Sequence, residues 1–304
     1  MNVVNHPALT RTIGSSFKPP HLLCVIGLFS CFSANAQSSY QYENLIIYSQ
    51  LQRDTLPDED FDGWALAVGG VSYFQRVNTN RGPLAEAAFL GKASGVRLFY
   101  TRTETEESLH DENWIEREEN KTNDALFNIE YYIPDSIFYA SLGVAAQKKS
   151  SADKIIVAGN SYTVDRDKGE WDYIGIASAG ITPVTGWLIW TSFHEGQDVG
   201  DEWNINSKYV WLLQGEQALN IELGYEENDT DISRSRYSLS ADYYVNKTLS
   251  FGLAHSAIDH DDAASEESNQ VRIKKFFSES ISVQAAYTDM DKESSVLVGG
   301  SYRF

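Results

Sequence analysis

Residues 281–304 have the sequence ISVQAAYTDMDKESSVLVGGSYRF. Apolar and polar residues alternate over 281–288, and the alternation resumes over 294–304 after a short polar run. A period of two is typical of a β-strand, in which successive side chains point to opposite faces. The polar run at 289–293 is short enough to reverse the chain, so this stretch predicts two antiparallel strands joined by a turn.

The second of these strands ends in aromatic residues. Phe304 follows Tyr302 by two positions, so both side chains belong to one face. A strand in a membrane barrel needs apolar groups towards lipid and aromatic groups at the interface. The ending resembles the C-terminal strand of outer-membrane barrels, and this resemblance implies that a barrel-assembly machinery recognises Tyr302 and Phe304. The same residues would also suit an edge strand of a soluble protein. The rest of the chain is needed to distinguish the two kinds of strand.

Residues 1–36 have the composition of a secretory signal peptide. Arg11 and Lys18 precede an apolar run at 22–32, and an Ala-x-Ala site ends at Ala36. A basic region, a short apolar region and a small-residue cleavage site are the three parts of such a peptide. We therefore predict cleavage after Ala36.

Residues 37–304 are then predicted to form one outer-membrane barrel domain. Both cysteines, Cys24 and Cys31, lie in the predicted signal peptide, so disulfides do not stabilise this domain. No apolar stretch in it approaches the roughly 20 residues that a membrane-spanning helix needs. The chain has a formal net charge of −19 at pH 7. Because nucleic-acid binding depends on basic surfaces, we predict no nucleic-acid partner.

Fourteen segments of this domain have strand periodicity, and each is long enough to cross an outer membrane when tilted. We predict an all-β fold, a transmembrane antiparallel up-and-down β-barrel of about 14 strands, with about 12 or 16 strands as alternatives. An unpaired backbone group in hydrocarbon costs on the order of several kcal/mol, so the sheet has to close. The segments are residues 40–51, 64–74, 95–102, 125–133, 138–148, 171–181, 187–195, 203–213, 218–226, 234–244, 249–256, 270–277, 281–288 and 294–304.

The connections between these segments alternate in length. Short turns such as 134–136 and 245–248 alternate with longer acidic connections such as 103–124 and 149–170. Short periplasmic turns opposite long outward loops are the asymmetry of transmembrane barrels. A soluble sandwich has no reason to sort its loops in this way.

Residues 82–91 stand where another short turn was due. Pro83 suits the first position of a helix, and Gly91 suits the position after its end. We predict a short helical turn at the periplasmic mouth. Two roles remain open for it: a packing element beneath the barrel, or a gate that controls passage.

Three stretches carry a resemblance to a known family: DFDGW at 60–64, GPLAEAAFL at 82–90 and YYIPDS at 131–136. In these stretches and in its overall pattern, the domain is similar to the general bacterial porin family of Gram-negative outer membranes. The resemblance implies a location in the cell outer membrane and a water-filled channel for passive diffusion of small hydrophilic solutes and ions. We also predict contact with outer-membrane lipid and lipopolysaccharide, and no cofactor. The resemblance itself implies no enzymatic activity. It leaves a homotrimer open as the oligomeric state.

Charged residues collect on one face of the predicted strands. The other face is apolar, as at Leu219, Ile221 and Leu223 of one segment. Charges at mid-membrane depth are tolerated only away from lipid, so we predict that they line a water-filled pore. The pore-lining candidates are Glu43, Arg97, Glu130, Lys208, Glu222, Arg236, Asp242, Arg272, Lys274 and Arg303.

Two other functions fit parts of the sequence. The acidic loops suit a non-channel barrel with a structural, adhesion or phage-receptor role. Ser192 and His194, with Asn204 and Asn206 on the next segment, have the residue types of a nucleophile, a base and an orienting amide, as in a barrel hydrolase. The alternation turns these residues towards the lumen, whereas cleavage of a membrane lipid requires them to face the bilayer. The pattern therefore favours the diffusion channel.

Overall fold

The computed structural model describes residues 38–304 except 54, 57, 112, 158–159, 197–200, 230–233, 261–264 and 292. The predicted signal peptide and its cleavage site lie outside the described residues. In the described part of the chain, fifteen strands form a single sheet in which every pairing is antiparallel. The strands are β1 (Ser39–Arg53), β2 (Glu59–Asn78), β3 (Gly95–His110), β4 (Trp114–Tyr132), β5 (Phe138–Val157), β6 (Asn160–Asp167), β7 (Trp171–Ile181), β8 (Trp187–Gly196), β9 (Asp201–Leu212), β10 (Ala218–Asp229), β11 (Arg234–Asn246), β12 (Leu249–His260), β13 (Glu266–Phe276), β14 (Ile281–Met290) and β15 (Glu293–Arg303).

The sheet closes on itself. β1 pairs with β2 on one side and with β15 on the other, while β4 pairs with both β3 and β5. β6 and β7 follow each other along the same side of β5, so together they fill one position of the wall. The wall therefore has 14 positions. The prediction of a closed antiparallel up-and-down barrel of about 14 strands is confirmed.

The two ends of the barrel differ as the connection lengths predict. The start of β1 and the end of β15 meet at one end, where Glu43 pairs with Arg303. This end, which we call the short-turn end, also carries the tight turns between β4 and β5 and between β11 and β12. The opposite end, which we call the long-hairpin end, carries the hairpins of β3 with β4 and of β5 with β6.

The predicted extent of two long loops is wrong. Most of 103–124 and 149–170 belongs to paired strands, because β3 and β4 stay in register as far as His110 and Ile115, and β5 and β6 continue to Val157 and Asn160. A strand that has left the bilayer needs no apolar face. It can therefore remain a strand without the alternation on which the prediction rested.

Charged pairs across neighbouring strands support these extensions. Arg117 Nε lies 3.2 Å from Glu106 Oε1 between β4 and β3. Lys154 of β5 donates a hydrogen bond to Glu119 of β4, and this bond holds the pKa of the Glu119 carboxyl below its usual value. Cross-strand pairs of opposite charge contribute to the stability of a sheet in place of apolar contacts.

The outer face of the barrel is apolar. Leu98, Leu142 and Leu253 are 61%, 67% and 64% exposed in the isolated chain. Aromatic residues flank this apolar zone: at the short-turn end Trp211 and at the long-hairpin end Trp203 are exposed, on the same face of β9. An apolar band between two aromatic belts is the surface that a lipid bilayer covers.

Residues 79–93, which we call the floor segment, connect β2 to β3 at the short-turn end. They contain 3-10 turns at Thr79–Arg81 and Leu84–Glu86 and the short helix α1 (Ala87–Leu90), so the predicted helical turn is confirmed. Among the described residues, no helix has the length and apolar character that crossing a membrane would require. Ala87 is fully buried against Tyr40, Tyr73 and Val77. The floor segment is therefore anchored by a small apolar core on its own side of the barrel.

Candidate functional site: the inner face of the barrel

The floor segment identifies the inner face, because it leaves its own strands and contacts side chains of other strands from within the barrel. Arg303 Nη1 of β15 donates to the Leu84 carbonyl over 2.8 Å. Lys208 Nζ of β9 lies 3.0 Å from Glu86 Oε2, and β9 is nearly opposite β2 in the order of the wall. The face that bears Arg303 and Lys208 is thus turned to the interior.

All ten pore-lining candidates belong to this inner face. Strand register places Val71 opposite both Glu43 and Arg97, and places Glu222 opposite Lys208. Five cations of the set have acidic neighbours and one has none. The acidic neighbours are Glu43 for Arg303, Glu130 for Arg97, Glu222 and Glu86 for Lys208, Glu226 for Arg236, and Asp242 for Arg272.

Lys208 links the wall to the floor segment. Its ammonium group lies between two carboxylates, donating to Glu222 Oε1 over 2.8 Å and contacting Glu86 Oε2 at 3.0 Å. Tyr244 donates its hydroxyl to the other oxygen of Glu86 over 2.6 Å. Glu86 is only 5% exposed. Because a buried carboxylate needs both charge and hydrogen-bond compensation, these contacts hold the far side of the floor segment.

Arg303 forms a second link. Its guanidinium lies 3.0 Å from Glu43 Oε1 and is stacked between the rings of Tyr40 and Phe276, at 4.5 and 4.6 Å from their centroids. A planar guanidinium can stack and hydrogen-bond at once, which a lysine cannot do. Arg303 therefore ties the last strand to the first and, through the Leu84 carbonyl, to the floor segment.

The pair formed by Arg272 and Asp242 depends on a glycine between them. Arg272 donates from Nε and Nη2 to the two oxygens of Asp242, each over 2.7 Å. Gly252 lies between these residues in register, and a Cβ there would stand 2.1 Å from Asp242 Oδ1. The missing side chain of Gly252 is what allows the two-point contact.

Lys274 is the exception among the inner-face cations. Its ammonium group has no hydrogen bond or ion pair with any residue that the structure describes, and its nearest ring is Phe276, 5.4 Å away. The neighbouring inner-face positions in register are Ser250 and Gln284, both neutral. Lys274 is thus the one cation of the candidate set without a direct carboxylate partner among the described residues.

A row of neutral residues crosses the wall on the long-hairpin side of Lys208 and Glu222. Strand register joins Trp190, Asn206, Gly224, Ser238 and Ser256 as successive neighbours from β8 to β12. Sequence reasoning missed this row because it searched the inner face for charge. The alternation of β11 places Ser238 on the face of Asp242, but the lateral neighbours follow only from the register.

The residues considered for a hydrolase have other partners. Ser178 donates to Ser192 over 2.9 Å, and His194 Nδ1 lies 2.8 Å from Glu202 Oε1. The bond with His194 lowers the pKa of Glu202, which lies beyond the aromatic belt at the long-hairpin end. Ser192 is buried on the inner face, where bilayer lipid does not reach. This arrangement gives no support to lipid hydrolysis by Ser192 and His194.

Comparison with known proteins gives structural neighbours only. No protein-family model matches the chain, and no curated protein matches it. The crystal structure of the Acinetobacter baumannii outer membrane protein Omp33 superposes with a TM-score of 0.60 at 18% identity, covering 88% of this chain and 99% of that chain. Pseudomonas putida OprB at low pH has a TM-score of 0.47 at 9% identity, covering 88% and 93%. The NalP translocator domain of Neisseria meningitidis has 0.42 at 8%, covering 93% of each chain.

The last two superpositions are too loose to carry an argument. The first, at its low identity, shows a shared fold and nothing about activity. The chain therefore has the closed antiparallel barrel fold that is also found in Omp33.

Proposed function

We propose that this chain is an outer-membrane porin, a water-filled channel for passive diffusion of small hydrophilic solutes and ions. One observation carries the proposal: a closed barrel with an apolar outer face has an inner face of charged and neutral polar side chains. A polar interior is typical of barrels that hold water, whereas a dry interior would be filled with apolar groups. Omp33, whose fold this chain shares, is described as an outer membrane protein, which supports the same location.

In this proposal, the ten inner-face candidates line the channel. Opposed charges at a constriction create a transverse field, and a surplus of one sign biases which ions pass. Because five of the six cations face carboxylates directly, positive and negative charges are nearly balanced along the channel wall. The channel would then discriminate by size more than by charge.

The floor segment narrows this channel at the short-turn end. It is held on one side by the core with Tyr40 and Tyr73 and by the bond from Arg303 to the Leu84 carbonyl, and on the other side by Glu86. Solutes would have to pass beside it, and we propose that it acts as the constriction. This firm anchoring also favours a second candidate function, a barrel that does not conduct and serves in structure, adhesion or phage attachment.

Conductance across a planar lipid bilayer separates the two functions. We expect the purified chain to insert and give stepwise ion currents, and a deletion of residues 82–91 to give larger steps. Detergent alone serves as the control. Heat-modifiable electrophoretic mobility verifies that both proteins are folded. If neither the natural chain nor the deletion variant then conducts, the non-channel function is correct and the porin function is not.

The proposal extends to partners and family. We also propose that a barrel-assembly machinery recognises Tyr302 and Phe304, whose rings lie 5.5 Å apart at the end of the sequence. Membership of the general bacterial porin family, contact with lipopolysaccharide and a homotrimeric state complete the proposal. Cross-linking in native membranes tests the trimer: a ladder ending at three subunits is expected, and monomer alone would contradict it.

A further inference from the structure

The row of neutral side chains on the inner wall lines a cavity of about 330 Å3. This volume falls within the roughly 300–1,000 Å3 of ordinary small-ligand sites. Its inner-face lining is mainly an indole, hydroxyls and amides, among them Trp190, Asn206, Ser238 and Gln270, with the carboxylate of Glu222 at its short-turn edge. The cavity thus combines one large apolar face with many groups that donate and accept hydrogen bonds.

The Trp190 indole is available to a ligand. It is half-buried, and within the described chain its ring has neither a ring contact nor a hydrogen bond. Its register partners are Gly180 and Asn206, so a glycine leaves one side of the ring uncovered. A flat apolar surface of this kind takes the apolar face of a ring-shaped solute.

The polar groups around the indole retain unused hydrogen-bonding capacity. Ser256 and Ser268 share one hydrogen bond of 2.9 Å, and Gln270 donates to Thr288 over 3.0 Å. A serine hydroxyl has one donor and two acceptor sites, and an amide has four sites in all, so each of these groups can make further bonds. Ser238 is exposed on the inner face.

Gly224 opens the space between these groups. A Cβ at this position would stand 2.5 Å from Ser238 Oγ and 2.9 Å from Asn206 Oδ1. The two polar side chains can therefore approach each other over the glycine. A side chain there would fill the gap that they border.

The charges that border the cavity are compensated. Lys208 and Glu222 are paired on its short-turn side at 2.8 Å, and Arg236 and Glu226 lie 3.9 Å apart on its long-hairpin side. The row itself contains no ionisable residue. A charged solute would therefore lose hydration without gaining a counter-charge, whereas a neutral solute with many hydroxyl groups would exchange water for protein hydrogen bonds.

We propose that this row is a binding subsite for a neutral polyhydroxylated ring, the chemical class of a hexose, stacked on Trp190 and hydrogen-bonded by Asn206, Ser238 and Ser256. The inference rests on the proposed channel function, since it names a solute that the channel would take. A subsite of this kind makes permeation of such a solute saturable, whereas other small solutes diffuse freely.

Binding is measured directly on the detergent-solubilised chain, independently of conduction. Saturation-transfer NMR with methyl α-glucopyranoside is expected to show saturable binding, and gluconate, a hydroxyl-rich ring-opened anion, is expected to bind more weakly. Trp190→Ala should weaken binding about tenfold, a loss of one stacking contact, while Trp190→Phe should retain most of it. Trp211→Ala, which removes an indole from the outer face, is the matched control and should leave binding unchanged.

A second pair of variants tests the cavity without removing an aromatic ring. Gly224→Ala should weaken binding because its methyl group displaces the Ser238 and Asn206 side chains that would hold the solute, whereas Gly175→Ala, whose Cβ would lie 3.8 Å from its nearest contact, should not. Heat-modifiable mobility verifies that each variant is folded. Non-saturable binding would overturn the subsite even if the channel conducts. So would folded Trp190→Ala and Gly224→Ala variants that bind the sugar as well as the natural chain does. Saturable binding by a chain that does not conduct would uphold the subsite and refute the channel.

Discussion

In the proposed channel, we expect Lys274 to influence charge selectivity most among the ten candidates, because it is the cation of that set with no direct carboxylate partner in the described structure. The other predicted basic residues face carboxylates at 2.7–3.9 Å, so their fields largely cancel beyond a few ångströms. An isolated lysine on the wall attracts anions and repels cations within about a Debye length, roughly 10 Å at moderate salt. Ion selectivity therefore depends on the inner-face charges that have no oppositely charged partner beside them.

The first prediction concerns this residue. Lys274→Gln should lower the permeability of chloride relative to potassium, because it removes the one cation among the ten candidates that has no direct carboxylate partner in the described structure. The reversal potential in asymmetric KCl measures the change, which should shrink as salt rises and screening increases. Lys275→Gln removes a charge from the next position, which faces away from the lumen, and should leave the reversal potential unchanged. Equal reversal potentials for the natural chain and Lys274→Gln would refute this assignment.

A second residue-scale prediction concerns Gly252. Gly252→Ala should destabilise the barrel by about 1–3 kcal/mol, since the new methyl group collides with a fixed pair of side chains rather than a flexible tip. The contacts at issue are 2.1 Å to Asp242 Oδ1 and 2.7 Å to Arg272 Nε. Urea unfolding followed by tryptophan fluorescence measures the loss. Gly175→Ala provides the comparison, and equal midpoints for the two variants would show that the Arg272 and Asp242 pair moves aside at no cost.

The floor segment is held by apolar contacts on one side and by charged contacts on the other. Near β2, it is held by burial of Ala87 against aromatic rings. Across the lumen, it is held by Glu86, which bonds to Lys208 and Tyr244. Apolar contacts are not screened by salt. The charged contacts are screened by salt, and each of them is weakened when either partner is removed. The far side is therefore where the segment would release first.

The third prediction follows from this asymmetry. Glu86→Gln keeps the shape of the side chain but removes the charge that Lys208 meets, so the far side of the floor segment should detach more often. Single-channel recordings should then show a larger mean current with more frequent steps. Glu216→Gln, in the turn between β9 and β10, removes a charge from the same end of the barrel without touching the segment. A current no different from that of Glu216→Gln would mean that the segment is a fixed packing element.

The sequence predicted the strands better than their contacts. Alternation located all 14 wall positions because a bilayer forces an apolar face on every strand that crosses it, as at Tyr237 and Leu239 of β11. It failed where β3 and β4 continue past Thr103, because a hydrated strand carries no such pattern. The bond between Glu86 and Tyr244 joins residues 158 positions apart, and the neutral row exists only through register. Neither is encoded in local spacing.

The proposed channel requires a water-filled interior behind an apolar exterior. Along β11, Ser238 and Ser240 belong to the inner face, and Leu239 and Ala241 belong to the outer face. Residues 37–304 contain no cysteine, so a cysteine introduced at any of these positions is the only thiol of the barrel domain. These four positions can therefore report water on each face separately.

The fourth prediction is the most direct test of this claim. In proteoliposomes, a membrane-impermeant, water-soluble maleimide should label Ser238→Cys and Ser240→Cys rapidly, because water fills the lumen. It should leave Leu239→Cys and Ala241→Cys unlabelled until detergent replaces the lipid. Protection of all four positions would mean that the barrel is dry inside, and labelling of all four would mean that no bilayer covers its outer face; either result would contradict the account.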